Sequence, residues 1–175
     1  MRAIKFVLLS VLWGVFSFPF LSVAAEFDDE EEAKPWKEAE VGLPDFPSDE
    51  NLIPFQVGVR FDTGFFIDGN SVSVGSDGVI RFTLIVHSSA GARNISYEGV
   101  RCDTGERRFY AAGRLDKTWA KARGKRWIKI NGGSNNHYAE LYANYFCTVG
   151  AATLMDAESV RAVLRKGGNP RESGP

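Results

Sequence analysis

The sequence has very little of the two residue types that most often carry catalysis and metal binding. Among its 175 residues only two are cysteine and two are histidine. It contains no H-E-x-x-H zinc motif, no phosphate-binding loop, no dinucleotide-binding glycine fingerprint and no G-x-S-x-G nucleophile motif. These absences exclude the usual signatures of metalloproteases, nucleotide-binding enzymes and serine hydrolases. We therefore expect no metal site, no cofactor and no established catalytic set.

Long apolar runs are also missing, except for one at the N-terminus that has the form of a secretory signal peptide. Arg2 and Lys5 precede an apolar stretch over residues 6–21, and small residues follow it. A membrane-spanning helix needs about 20 apolar residues, and this stretch is shorter. Residues 1–25 are therefore expected to be removed after Ala25, which predicts a periplasmic protein with no remaining transmembrane span.

The two cysteines, Cys102 and Cys147, are predicted to form a disulfide. Export places them in an oxidising compartment, where an even pair of cysteines is usually bonded. The alternatives are two free buried thiols or half of a metal site, for which His137 is the only histidine close in sequence to either cysteine.

A charge split lies behind the nearly neutral total. Residues 26–50 hold eleven acidic residues and two lysines, which gives −9, whereas residues 51–175 hold eleven acidic and seventeen basic residues, which gives +6. Residues 26–54, the acidic arm, also contain four prolines and no hydrophobic period. Because a solvating tail has no use for a tryptophan, we expect part of the arm to lie extended on the domain, with Trp36 or Phe46 in a groove. Disorder throughout the arm is the alternative.

Residues 55–150 are expected to form a β-rich core domain. Short alternating or β-branched runs separated by glycine turns occur at 72–74, 79–87, 94–102 and 107–115, and residues 117–130 are expected to hold two short strands or one strand after a loop. The stretch "FQVGVRF" at 55–61 is a candidate first strand. Short strands joined by tight turns indicate an antiparallel meander.

Two helices are expected after the strands. Tyr138, Leu141, Tyr142 and Tyr145 recur on one helical face, with Asn135 or Asn136 as cap. A C-terminal helix is expected within residues 151–168, with Asp156 as cap and a glycine pair as its end, followed by a loose tail at 169–175. The predicted class is thus α+β: an antiparallel meander of about five to six strands with one helix packed on it, a C-terminal helix and one disulfide.

Several short motifs resemble those of a known family. They are Trp36, Leu43-Pro44, residues 51–55 (NLIPF), residues 77–83 (DGVIRFT), residues 97–102 (YEGVRC), Trp119 and residues 141–147 (LYANYFC). This pattern, most specifically Y-E-G-x-R-C with a later F-C, resembles the cryptic neisserial protein family over residues 35–148. The resemblance implies a small exported protein of Gram-negative bacteria with uncharacterised function, and it supplies no catalytic residues.

The most informative candidate site is basic and aromatic. Residues 101–129 hold ten Lys/Arg and three Asp/Glu together with two tryptophans. The candidate binding residues are Arg101, Arg107, Arg108, Trp119, Arg126 and Trp127. In an exported protein such a face predicts an anionic envelope component or an acidic protein as partner, rather than nucleic acid, and the acidic arm itself is a further candidate. The alternative is a solvated surface with two core tryptophans.

Glu98, His87 and His137 are the only weak catalytic candidates. Glu98 and Arg101 lie three residues apart in a strand and should face opposite sides unless Gly99 forms a bulge. We expect Glu98 to pair with Arg81 or Arg108 on a neighbouring strand. For His137 a surface or capping role is expected. The leading hypothesis is a non-enzymatic binding or assembly module, and the alternative is a small periplasmic hydrolase that uses Glu98 with a histidine. The oligomeric state is left open.

Overall fold

Seven strands form a single antiparallel sheet in the computed structural model, which describes residues 35–58, 63–132, 136–147 and 156–168. The strands are β1 (Leu52–Phe55), β2 (Gly64–Val74), β3 (Val79–His87), β4 (Arg93–Arg101), β5 (Glu106–Gly113), β6 (Trp119–Lys121) and β7 (Ile128–Lys129). Strands β1 to β6 lie in sequence order, and β7 also pairs with β5. The predicted meander is confirmed. The predicted signal peptide at 1–25 and the predicted loose tail at 169–175 lie outside the described residues.

Two helical segments follow the sheet. Helix α1 (His137–Glu140) continues as a π-helical segment (Leu141–Phe146), and α2 spans Ala157–Lys166. The Asn136 side chain accepts hydrogen bonds from the first helical N–H groups of α1, and the Asp156 side chain accepts one in α2. Gly167 ends α2 in the left-handed conformation at φ 88°, where glycine is favoured. The predicted caps are confirmed, although the π-helical geometry was not expected.

The two faces of the sheet are covered by different parts of the chain. One face, the helix face, carries Ile80, Phe82 and Val100, which form the main core with residues of the π-helical segment and of α2. The Cys102–Cys147 disulfide ties this covering to the end of β4, as predicted. The opposite face, the arm face, carries a smaller apolar cluster made of Tyr97, Tyr110 and Ala111. The α+β class is confirmed.

The sheet begins earlier in the chain than expected. Leu52–Phe55 pairs with β2, although the sequence places residues 52–54 in the acidic arm. The predicted first strand at 55–61 is wrong for its described part, because only Phe55 belongs to a strand and Gly58 lies in a turn. Residues 59–62 lie outside the described part of the chain.

Candidate functional site

Residues 36–46 of the acidic arm, named the docked segment below, lie extended across the arm face. At one end Trp36 Nε1 donates a hydrogen bond to the backbone oxygen of Asp77 at 2.9 Å. Towards the other end Trp119 Nε1 donates to the backbone oxygen of Pro44 at 2.9 Å. Between these two points, apolar side chains of the segment pack on the cluster of the arm face. The segment therefore covers the sheet without adding a strand to it.

The central contact of the docked segment is the carboxylate of Glu38. Its Oε1 accepts a hydrogen bond from the Tyr110 hydroxyl at 2.7 Å, and its Oε2 forms an ion pair with Arg108. Arg81 Nη2 lies 3.7 Å from Oε1. We name Arg81, Arg108 and Tyr110 the seat. Burial and the hydrogen bond to Glu38 raise the pKa of Tyr110, so the phenol keeps its proton and acts as a donor.

Arg81 is held from its other side by Asp77. Its guanidinium donates two hydrogen bonds to this carboxylate, at 3.1 and 2.6 Å, and Arg81 is only 5% exposed. Burial alone would raise the pKa of Asp77, but hydrogen bonds from Arg81 and from the backbone N–H groups of Ala39 and Val79 lower it to about 2. Asp77 stays charged at neutral pH and links the turn before β3 to the docked segment.

The charges of the seat and of Asp77 are balanced only when Glu38 is present. Arg81 and Arg108 contribute two positive charges and Asp77 contributes one negative charge, so the group carries a net +1 before Glu38 neutralises it. A buried charge without a partner is strongly unfavourable. One further anion completes the charge balance at this position, and the carboxylate of Glu38 is that anion.

A cation–aromatic contact lies beside the seat. The Arg101 guanidinium stacks at 3.6 Å from the Trp36 ring centroid and lies 5.9 Å from that of Trp127. The two tryptophan rings meet edge to face at 5.9 Å. Trp36 remains 40% exposed, so solvent reaches this contact. Contacts of this kind contribute about 0.5–2 kcal/mol.

Gly99 makes room for the seat. A Cβ atom at this position would lie 2.7 Å from the Tyr110 hydroxyl oxygen and 2.9 Å from its ring, so any other residue would displace the Tyr110 side chain. Tyr110 is also the extra residue where the β4–β5 register shifts, because Tyr97 pairs with Ala111 and Glu98 with Phe109. The glycine and the bulge together place the Tyr110 hydroxyl where Glu38 meets it.

The predicted binding residues divide between the two faces. Arg101, Arg108, Trp119 and Trp127 contact the docked segment or one another on the arm face. Arg107 lies on the helix face, since neighbouring residues of a strand point in opposite directions. Arg126 is exposed in the connection between β6 and β7. Sequence reasoning thus grouped residues that the sheet separates.

Four residues of this site are not assigned to it by the sequence: Glu38, Asp77, Arg81 and Tyr110. Glu38 is only one of many acidic residues of the arm, Asp77 is expected in a turn, Tyr110 has no predicted role, and Arg81 is expected to meet Glu98. The available signal was Arg81 itself, a charged residue inside the apolar run of β3, which is unusual unless the charge has a partner.

The chain matches the model of one protein family. The model of the CNP1-like family matches residues 31–165, which include the docked segment and the sheet. The chain belongs to the CNP1-like family. No curated protein and no solved structure matches it. The function of this family is uncharacterised, so the membership assigns no ligand, and any function has to be argued from the two faces of this family member.

A second polar cluster of this CNP1-like family member lies on the helix face around Glu98. Its Oε1 accepts hydrogen bonds from the Ser96 hydroxyl at 2.6 Å and the Tyr138 hydroxyl at 3.1 Å. Its Oε2 lies 3.9 Å from Arg107 and has no hydrogen-bond donor among the described residues. Burial raises the pKa of Glu98, although these neighbours oppose the shift. The expected pairing with Arg81 or Arg108 is wrong, because both of those residues lie on the other face.

The two histidines occupy different places relative to this carboxylate. The His137 ring is half-buried between Phe65, at 5.3 Å, and Tyr138, at 4.0 Å. Burial, with a smaller effect of Arg107, lowers its pKa to about 4, so His137 is neutral at neutral pH. Asn136, and not His137, caps the helix.

His87 lies far from Glu98. Glu98 pairs with Phe82 in the sheet, and His87 is five residues further along the same strand. At about 3.3 Å per residue this separation is roughly 16 Å. The two side chains therefore cannot share a proton.

Within the described ranges, no group of three or more histidine, cysteine or acidic residues is arranged to hold a metal ion. No helix in the part of the chain that the structure describes is long and apolar enough to cross a membrane.

Proposed function

We propose that this CNP1-like protein is an exported, non-enzymatic binding or assembly module whose arm face takes an extended acidic segment of another protein. The docked segment is its built-in occupant and competes with that partner. The observation that carries the proposal is the Glu38 carboxylate between Arg81, Arg108 and Tyr110. The resemblance to the cryptic neisserial proteins supports a location in the periplasm of a Gram-negative bacterium.

The contacts of the docked segment define the ligand chemistry. An aromatic side chain stacks on Arg101, and a carboxylate two residues later enters the seat. The backbone is also recognised, because Ala39 N–H donates to Asp77 at 2.8 Å and the Pro44 oxygen accepts from Trp119. Main-chain recognition favours a peptide over a lipid or polysaccharide anion. An anionic envelope component would satisfy the seat alone and leave these backbone contacts unused.

The built-in occupant sets how tightly a partner must bind. A segment attached by a short linker acts at an effective concentration on the order of millimolar. A partner therefore either makes more contacts than the docked segment or arrives when that segment is released. This competition gives the acidic arm a function that a solvating tail would not have.

The test uses matched charge-neutralising variants of the whole chain. Glu38→Gln removes the negative charge that the docked segment places in the seat. Glu40→Gln makes the same change at an exposed position two residues away. Hydrogen bonds to charged groups contribute about 1.5–3 kcal/mol. Fluorescence anisotropy with a labelled peptide of residues 36–46 should therefore show roughly 10- to 100-fold tighter binding to Glu38→Gln than to the unmodified protein.

The control and a second substitution decide the result. Glu40→Gln should bind the peptide like the unmodified protein, and adding Arg108→Glu to Glu38→Gln should remove the binding. Equal affinities for all the variants would show that the seat is not a binding site.

A small hydrolase that uses Glu98 is the second candidate. The raised pKa of Glu98 and its unbonded Oε2 favour it. However, the hydroxyl groups bonded to Glu98 come from Ser96 and Tyr138, and His137 contacts the Tyr138 ring instead of the carboxylate. Glu98→Gln should therefore change the melting temperature and abolish no hydrolytic activity. Loss of an esterase or peptidase activity with the melting temperature unchanged would favour the hydrolase.

A further inference from the structure

We infer that the docked segment of one chain also occupies the seat of a second copy, so that two chains exchange their segments and form a dimer. The inference rests on the proposed function, since it requires the arm face to be a binding site. It goes further by naming a partner that carries all of the required chemistry. That chemistry is an aromatic residue, a carboxylate two residues later and an apolar stretch ending near Phe46.

The way in which the segment is held permits exchange. Among the described residues, its backbone makes hydrogen bonds to side chains of the sheet, at Ala39 and Pro44, and none to the sheet backbone. Its anchors are separate side chains: Trp36, Glu38, Val41, Leu43 and Phe46. Such a segment leaves without breaking any strand pairing, and the seven-stranded sheet stays intact.

The connection between the segment and the sheet is suited to act as a hinge. Ser48 is extended, with φ −101° and ψ 144°, and the short 3₁₀ turn Asp49–Asn51 that follows buries no residue. Its ion pair between Asp49 and Arg93 lies on the surface and contributes little. Residues 47–50 span at most about 14 Å when extended. The two hinges of an exchanged pair must therefore lie close together, as in a two-fold symmetric dimer.

The closed monomer and the exchanged dimer contain the same contacts between segment and seat. Their balance is therefore set by the concentration of the chain against the effective concentration of its own segment, on the order of millimolar for a short linker. Dilute protein should be a closed monomer. Exchange becomes dominant in concentrated protein, or wherever docking within one chain is weakened.

Two charge-reversal variants of the whole chain isolate docking between copies. In Glu38→Arg the segment is repelled by its own intact seat, and in Arg108→Glu the intact segment faces a damaged seat. Neither variant closes on itself through a full set of contacts. When they are mixed, the segment of the Arg108→Glu chain finds the seat of the Glu38→Arg chain. Sedimentation velocity should show monomers for each variant alone and a 1:1 dimer, with twice the mass, in the mixture.

The matched control is Glu40→Arg mixed with Arg108→Glu. The same charge is reversed two residues away, but the segment of the Glu40→Arg chain still docks on its own seat, so this mixture should stay monomeric. A dimer in the control mixture would overturn the inference, because the association would not depend on the seat. If Arg108→Glu fails to fold, as judged by its near-ultraviolet circular dichroism, Arg108→Ala replaces it.

A peptide experiment separates this inference from the proposed function. If the mixture stays monomeric while Glu38→Arg binds the free 36–46 peptide, exchange is refuted and the binding face stands. If the mixture stays monomeric and the peptide does not bind, both proposals are refuted.

Discussion

The two faces of the sheet both carry apolar clusters, a large one on the helix face and a small one on the arm face, and they are covered in different ways. The helix face is closed by helical elements whose side chains form a continuous apolar core, and the Cys102–Cys147 bond ties this cover to β4. The arm face is closed by an extended segment held by an ion pair, one stacked arginine and a few half-buried apolar residues. One cover is part of the main core, whereas the other is an extended segment held by a few separate contacts.

This difference predicts which of the two covers is released more easily. Apolar burial contributes about 25 cal/mol per Å² and is lost only when the core opens. The charge-assisted hydrogen bonds of Glu38 contribute about 1.5–3 kcal/mol, and they respond to salt and competitors. A ligand should therefore exchange with the docked segment well before it disturbs the helices.

The same Phe→Ala substitution on each face of the sheet tests this difference most directly. Phe146 is fully buried against Phe82, with ring centroids 4.9 Å apart, whereas Phe46 is half-buried against Trp119. Phe146→Ala should lower the free energy of unfolding by about 3–5 kcal/mol. Phe46→Ala should lower it by about 1 kcal/mol, because less apolar area is lost. Urea denaturation measures both values, and equal losses would show that the segment is part of the core.

The disulfide tests the covalent half of the comparison. It closes a loop with a sequence separation of 45, for which the chain-entropy model gives about 4 kcal/mol of stability. The double variant Cys102→Ser/Cys147→Ser should lose about that amount in urea denaturation without reductant. Docking of the segment should be unchanged. It is monitored in native buffer by the protection of Lys37 from trypsin. Loss of that protection would mean that the two covers are coupled through the sheet.

Much of the sheet and both helix caps could be predicted from local chemistry. The Gly-Ser-Asp-Gly turn before β3 and the caps Asn136 and Asp156 act within a few residues of themselves. The disulfide is predicted from an even cysteine count together with the expectation of export. Each of these depends on short-range geometry or on a pairing that has no competitor.

The site was harder to predict because it depends on which face each residue occupies. Arg107 and Arg108 were grouped, although strand alternation alone separates them. The position of Tyr110 depends on a bulge between β4 and β5, and a bulge shifts the facing of every residue beyond it. Glu38 and Arg108 are 70 residues apart in the sequence. Opposite charges indicate that the arm and the domain attract each other, but they do not identify which acidic residue meets which arginine.

A pH titration of stability tests the helix face through His137. Folding lowers the pKa of His137 from 6.5 to about 4, so the unfolded chain takes up a proton first as the pH falls. Stability should therefore decrease between pH 6.5 and about 4. The raised pKa of Glu98 has the opposite effect on stability as the pH falls. The contribution of His137 is therefore measured as the difference between a variant and the unmodified protein. The melting temperature of His137→Phe should rise relative to that of the unmodified protein as the pH is lowered through this window. A constant difference would contradict the assignment.

The smallest expected effect is that of salt on the arm face. Raising the ionic strength to 1 M shortens the screening length to about 3 Å and weakens the attraction of Glu38, 16% exposed, to Arg108 and Arg81. Trypsin cleavage after the exposed Lys37 reports the undocked fraction when reclosing is fast. Because salt screens the ion pair but leaves the hydrogen bonds and the apolar anchors of the segment in place, cleavage should be only a few-fold faster in high salt. Glu38→Gln should be cleaved faster at low salt and show little salt dependence, which separates undocking from any effect of salt on trypsin. Equal salt responses of the two proteins would mean that apolar anchors alone hold the segment.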